Sequence, residues 1–446
     1  MDIGLPRVDA SLSHGGSGDG AGSTASVEFY VVVCRPVLPC GVGLSPPGIV
    51  RRIASVVNVG VIGCGNWGKN YVRNFSEISE AKLVVCCDTN QARLTAIRER
   101  YPLVKLTRNF QAVASDPKID AVVVATPPAT HYSIARACLL RGKHVLVEKP
   151  FTLSSEDADH LVDIAEKAGK VLMVGHIMDY HPAMRVVKEY VDSGELGRIY
   201  YMHAARTSLG IVREDVSVLW DKAPHDIATL LYLLGDEPVS VAATGQAYVN
   251  DGIEDVAFVT IRFGSGVMAN IHLSWLDPCK TSRTTIIGEK KMIVFDDAET
   301  LEKVKVYNKG VNRRRDFMKR FENGSHPNGV AEATETTADT PNGADALNGF
   351  SGFQYTFTYG DVYIPKLKMS EPLRNECLHF LECIREGKRP LTDGANGAKV
   401  VRVLERAEES LRRGGEYVPV ESGVAAAATK EGFMARARSF WKGLGF

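Results

Sequence analysis

The sequence predicts an α/β protein: a doubly wound parallel Rossmann sheet over residues 58–177, then an α+β domain with an open, mostly antiparallel sheet over 178–420. Three observations predict this. Short apolar runs alternate with helical stretches from Asn58 to about residue 177, and a glycine-rich turn follows the first run. Beyond residue 178 the rhythm changes to apolar runs joined by short polar turns. Strands that are apolar throughout are what a parallel sheet covered on both faces requires.

In the first part the runs are Val59–Ile62, Leu83–Cys87, Ala121–Ala125, His144–Val147 and Val171–Val174. The helices between them carry charges on one side, as in Gln91 to Arg98. In the second part a helix from about Pro182 to Ser193 stops at Gly194 and leads into strand Ile199–Arg206. A helix follows His225 and ends at Gly235. The strands Val239–Ala247, Val256–Phe263, Val267–Ser274, Arg283–Ile287 and Met292–Phe295 come next, with Gly264-Ser265-Gly266 as a hairpin turn. After chain resumes near Phe357, helices Glu371–Arg385 and Gly394–Arg412 are each stopped by glycine. Such a sheet with helices on one side leaves an apolar outer face suited to a homo-oligomer.

Three segments do not fit the fold. Residues 1–57, with a Gly/Ser-rich stretch from Ser11 to Ser26, are expected to form a disordered or leader-like extension. Residues 323–348, rich in Asn, Gly, Thr, Ala and Glu, are expected to form a disordered insertion. In the tail, 421–446, Phe433, Ala437, Phe440, Trp441 and Leu444 share one helical face among basic residues, a pattern for weak membrane-surface contact. The 53 acidic and 53 basic residues balance, so no net field attracts nucleic acid. Nine scattered cysteines with no C-x-x-C indicate reduced thiols in a cytoplasmic protein, neither a disulfide framework nor a metal site.

The chemistry gathers at strand ends. Gly63-Cys64-Gly65-Asn66-Trp67-Gly68 directly follows a strand and opens a helix, the context in which G-x-G-x-x-G binds a dinucleotide. Gly63 permits the tight turn, Gly65 the approach of a pyrophosphate, and Gly68 close packing of helix on strand, with Asn66 and Trp67 in the same turn. Asp88 ends the second run, 20 residues after Gly68. A carboxylate there accepts from the adenosine ribose and repels a 2′-phosphate, which favours NAD over NADP. Thr126 and Pro127, with His131, close the third run at the same edge, and Glu148-Lys149-Pro150 closes the fourth. A lysine serves proton transfer only when its pKa falls from ~10.4 towards neutrality, which partial burial and a positive nicotinamide ring both favour. The other cluster runs from Trp220 to Asp226: Pro224 is expected to start a helix, with His225 at its entrance and Asp221 or Asp226 within reach.

Together these residues resemble the Gfo/Idh/MocA oxidoreductases. The resemblance covers roughly residues 57–310 and 357–420, through the Gly63–Gly68 fingerprint, Ala125 to His131, Glu148-Lys149-Pro150 and Asp221-x-x-x-His225. It implies an NAD(P)-binding domain, a C-terminal α/β domain and a homodimer or homotetramer. Gly175-His176, Tyr180-His181-Pro182-Ala183, Leu196 to Tyr200 and Leu219 to Asp226 are most similar to the UDP-N-acetylglucosamine and UDP-N-acetylglucosaminuronate 3-dehydrogenases. Those enzymes usually carry Asn in place of Asp221 and of His181. The expected reaction is therefore NAD-dependent oxidation of a secondary hydroxyl, C3 of a UDP-sugar. Lys149 and His225 flank that hydroxyl, one of them as base, and Asp221 orients the histidine. Tyr180, Arg206 and Arg213 are substrate-side candidates, the arginines for a pyrophosphate or carboxylate. The resemblance also implies 2-oxoglutarate as a second substrate that reoxidises NADH. Rival readings are a dehydrogenase of a free sugar or cyclitol, a non-catalytic NAD-binding regulator, and a membrane-associated assembly factor.

Overall fold

The computed structural model describes residues 56–313 and 355–421. The insertion at 323–348, almost all of the extension and all but the first residue of the tail lie outside the described residues. Strands and helices alternate through the first part. In order they are β1 (Val57–Ile62), α1 (Gly68–Glu77), β2 (Ala81–Cys87), α2 (Gln91–Arg100), β3 (Lys105–Thr107) and α3 (Phe110–Ser115). There follow β4 (Ala121–Val124), α4 (His131–Leu139), β5 (His144–Glu148), α5 (Ser155–Ala168) and β6 (Leu172–Gly175). The six strands pair in parallel in the order β3-β2-β1-β4-β5-β6. The order reverses between β1 and β4, and the crevice at the carboxyl ends there is where open α/β sheets bind ligands.

The second part contains α6 (Pro182–Asp192), β7 (Ile199–Leu209), α7 (Val218–Leu234), β8 (Pro238–Gln246), β9 (Val256–Phe263), β10 (Met268–Ser274), β11 (Leu276–Gly288) and β12 (Met292–Asp296). It continues through β13 (Val304–Tyr307), β14 (Gly310–Arg313), β15 (Tyr355–Thr358), β16 (Val362–Tyr363), α8 (Pro372–Glu386), α9 (Gly394–Arg412) and β17 (Val418–Pro419). Nine strands form one mixed sheet, β16-β13-β12-β11-β7-β10-β9-β8-β17, in which β7 and β10 are parallel and the other pairs antiparallel. Gly264 to Gly266 joins β9 to β10 as expected. Helices α6, α7 and α9 pack on this sheet. Among the described residues no helix is long and apolar enough to cross a membrane.

One boundary differs in a way that moves the site. Helix α7 begins at Val218, so Pro224 and His225 lie in its second turn and not at its entrance. Val218, Leu219 and Trp220 are buried, and burying them outweighs the ladder bond that the proline gives up.

Candidate active site

The glycine turn is built by close approach. Gly63 has φ +91°, and a Cβ there would lie 2.3 Å from the carbonyl oxygen of Ala125, at the end of β4. A Cβ on Gly68 would lie 1.9 Å from the Gly63 carbonyl oxygen. Any larger residue at either position would therefore push the turn out of the crevice. Helix α1 starts with no side chain capping its first turn, leaving amide donors for an anion. The turn opens on a cavity of about 650 Å³ bordered by Gly63, Gly65, Asn66, Asp88, Thr126, Pro127 and Arg213. Trp67 stands on the surface, 41% exposed, and does not border that cavity.

Asp88 is buried one residue beyond β2. Its Oδ2 accepts the Cys64 amide at 2.7 Å and its Oδ1 the Asn90 amide at 2.8 Å. The carboxylate thus braces the glycine turn and also borders the cavity. Arg93 stands 3.5 Å from Oδ2, and Arg108 borders the same space. The sequence reading passed over both arginines, although Arg93 falls in the first turn of the helix that follows Asp88.

His131 and Glu148 differ from expectation. Both ring nitrogens of the buried His131 are 2.8 Å from carbonyl oxygens, Nδ1 from Pro150 and Nε2 from Thr126. The histidine straps the two loops together from behind. Glu148 points inward: Oε1 accepts the Tyr71 hydroxyl at 2.8 Å and Oε2 the Lys149 amide at 2.9 Å.

At the end of β5 the Lys149 ammonium donates to the Asp221 carbonyl at 2.8 Å and lies 3.5 Å from Asp221 Oδ1. Asp221 Oδ1 also takes Arg213 Nη1 at 3.3 Å, and Oδ2 takes the Trp275 indole N–H at 3.2 Å. Asp221 is therefore held by Lys149, Arg213 and Trp275, and does not orient His225. His225 follows one turn later on α7, with Nδ1 buried and without a hydrogen-bond partner. Burial, then the charges of Lys149 and Arg206 and the neighbouring His176, holds its pKa well below the ordinary histidine value. The ring is neutral near pH 7.

His176 joins this cluster, and the sequence reading did not number it among the site residues. Glu148 pairs with Gly175 across β5 and β6, so Lys149 and His176 are the next residues at the same sheet edge. That register was the signal available. Both His176 nitrogens are buried without a partner, and burial followed by the Lys149 charge lowers its pKa to about 3.

Two substrate-side expectations are corrected. Arg206 makes a two-pronged bond to Asp226, 2.9 Å at each contact, and gives Nη1 to Ser282 Oγ. That fork satisfies the arginine and takes Asp226 away from His225. Tyr180 is fully buried, its hydroxyl 3.0 Å from Thr392 Oγ1, so it is part of the core and not of the crevice. Arg213 does reach the crevice, bonded to Asp215 as well as Asp221.

Residues 57–176 match the model for an oxidoreductase family with an NAD-binding Rossmann fold, and residues 184–294 match the GFO/IDH/MocA C-terminal domain. Among curated relatives, the UDP-N-acetylglucosamine 3-dehydrogenase of Acidithiobacillus ferrooxidans is 34% identical over 220 residues, covering 49% of this chain and 67% of the relative. The myo-inositol 2-dehydrogenase of Thermotoga maritima is 26% identical over 369 residues, covering 80% of this chain and 96% of the relative. A solved structure of the Acidithiobacillus ferrooxidans enzyme superposes with a TM-score of 0.62 at 24% identity, covering 80% of this chain and 98% of that one.

Proposed function

The chain belongs to the Gfo/Idh/MocA oxidoreductases, an NAD-binding family, and from that premise we propose that it oxidises C3 of a nucleotide sugar such as UDP-N-acetylglucosamine or its uronate. The single observation that carries the chemistry is the grouping of Lys149, Asp221 and neutral His225 at the carboxyl edge of the parallel sheet. Gly63, Gly65, Asn66, Gly68, Asp88, Thr126 and Pro127 would hold the dinucleotide, and the Cβ-excluding turn and the cavity beside it fit such a ligand. When bound, NAD supplies the two-electron acceptor. His225, uncharged with an unpartnered nitrogen, takes the proton of the substrate hydroxyl. Lys149 donates a hydrogen bond to that oxygen and holds it as the proton leaves. Asp221 fixes the ammonium and is itself fixed by Trp275 and Arg213.

The nucleotide sugar is supported by the 34% identical relative and by Arg213, which borders the cavity, as Arg206 does not, though it too is bonded to carboxylates, Asp215 and Asp221. A second reading, a cyclitol or free sugar, is favoured by the fuller coverage of the myo-inositol 2-dehydrogenase and by Asp221, which follows the wider family's pattern. Reoxidation by 2-oxoglutarate and assembly as a dimer or tetramer belong to the same proposal. The test is nicotinamide absorbance with NAD and UDP-N-acetylglucosamine, its uronate or myo-inositol, each with and without 2-oxoglutarate. Reduction by a UDP-sugar that disappears in Lys149→Ala supports the proposal. Reduction by myo-inositol alone replaces it with the second reading.

A further inference from the structure

Beneath Lys149 lies a group of side chains that the reaction above does not use. Tyr71 on α1 has its hydroxyl oxygen 2.8 Å from Glu148 Oε1 and 2.8 Å from Glu376 Oε1 on α8. All three are buried, Tyr71 and Glu376 completely. A tyrosine has one proton to donate, so it cannot satisfy two ionised carboxylates. One carboxyl must carry a proton and donate it to the tyrosine oxygen.

The surroundings decide which. Glu148 receives two donors, the Tyr71 hydroxyl and the Lys149 amide at 2.9 Å, and lies near the Lys149 charge. Glu376 faces Glu148 and Asp179, both acids, and its Oε2 is buried with no partner. Ionised, that oxygen would be costly to bury; as the carbonyl of a neutral acid it is far less so. The other titratable groups around the bridge are Cys377 on α8, and the Tyr180 hydroxyl beside Glu376. Burial, and then Glu148, drives Glu376 well above the usual carboxyl range, while burial raises Glu148 only to about 7 because the Tyr71 hydroxyl, the Lys149 charge and the Lys149 amide hold it down. The neighbouring strand makes room for the bridge: a Cβ on Gly175 would lie 3.1 Å from the Tyr71 oxygen and 3.3 Å from Glu148 Cδ.

We propose that Glu376 is a positioning residue for Lys149, acting through a directed chain of hydrogen bonds. Neutral Glu376 donates to Tyr71, Tyr71 donates to Glu148, and Glu148 as carboxylate accepts the backbone N–H of Lys149. The chain ties helix α1, which opens at the glycine turn, and helix α8 of the second part to the end of β5. It rests on the reading of Lys149 given above for its effect on turnover, though not for the proton itself.

The test uses the full chain with Glu376→Gln, Glu376→Leu and Tyr71→Phe. Isotope-edited infrared spectra of the wild type at pH 7 should show a protonated buried carboxyl that is missing in Glu376→Gln; its absence from the wild type overturns the proposal. A glutamine amide replaces the carboxyl donor, so Glu376→Gln should keep kcat within about twofold, while Glu376→Leu and Tyr71→Phe lose about tenfold or more with KM little changed. Exchange of the Lys149 amide, read by mass spectrometry, should quicken in the same two variants and not in Glu376→Gln. A leucine variant that stays folded with wild-type kcat and exchange, or a glutamine variant as impaired as the leucine one, overturns the positioning role. If the infrared and exchange results hold while no sugar is turned over, the proposed reaction fails and the proton chain stands.

Discussion

Strand β5 carries a lysine at each end, and the fold treats the two differently. Lys143, just before the strand, is 5% exposed and gives its ammonium to the Asp116 and Ile119 carbonyls at 2.6 and 2.7 Å. Burial lowers its pKa, but its donors are spent on the loop between α3 and β4. Lys149, just after the strand, keeps a side chain 20% exposed and meets Asp221 on α7. In a parallel sheet the amino ends are closed by turns, while the carboxyl ends open at the switch point. The residue type is the same; the end of the strand assigns it to structure or to a site.

The strongest test of that contrast is to remove each lysine. Lys149→Met should lower turnover by about a thousandfold while NAD affinity, followed by nicotinamide fluorescence, stays within about threefold, because the change falls on the reacting end and not on the glycine turn. Lys143→Met should do the reverse. Leaving one buried and one partly buried carbonyl without their charged donor costs about 2 kcal/mol in urea unfolding, with turnover per folded molecule nearly unchanged. If Lys143→Met abolished turnover in folded protein, the distinction between the two ends would collapse.

The same contrast explains how much the sequence discloses. The Gly63–Gly68 turn and five of the six parallel strands follow from contiguous apolar runs and short spacings, which are local signals; the contact of Asp221 with Lys149, 72 residues away, does not, and the sequence assigns Asp221 to His225 instead. Strand β3 was missed because Lys105–Thr107 is short, half-exposed and pairs only with β2. The start of β11 was placed too late because Leu276 to Thr281 is polar and pairs irregularly with β7. Within the site, the misplaced residues are those whose partners lie far along the chain. Arg206 is claimed by Asp226 on another element, Tyr180 by Thr392, and Glu148 by a tyrosine that also bonds Glu376. Spacing cannot announce such pairs. Register can announce His176, since it stands beside Lys149 once β5 and β6 are aligned.

A smaller effect sharpens the structural character of the amino end. His144 opens β5, and its Nδ1 accepts the Val171 amide at 3.0 Å. Burial, and then Lys170, lowers its pKa to about 4. The folded value lies below the unfolded value of about 6.5, so its contribution is complete above that pH and drains away as pH falls through 4. That contribution is about 2 kcal/mol after allowance for partial exposure. His144→Asn keeps an acceptor that does not titrate. Unfolding midpoints measured from pH 7 to 4 should fall less steeply in the variant than in the wild type, with turnover at pH 7.5 unaltered. A parallel decline would mean that His144 is not among the groups responsible.

The mildest change separates the two arginines expected on the substrate side. Arg206 is locked onto Asp226, so its replacement should mainly weaken folding. Arg213 borders the cavity and is linked through Asp221 to Lys149, which places it between the dinucleotide turn and the lysine end of β5. Arg213→Ala removes one cation that a sugar diphosphate can use and a cyclitol cannot. It should raise KM for UDP-N-acetylglucosamine about tenfold, equivalent to about 1.4 kcal/mol, and leave myo-inositol within about twofold. Both substrates should lose a little kcat, because Asp221 loses one of the three groups that hold it. An equal KM rise for both would mean that Arg213 serves only to brace Asp221, and the carboxyl end of β5 would then lack its phosphate-recognising arginine. A rise confined to the nucleotide sugar would extend the contrast between the two ends of the strand from catalysis to the choice of substrate.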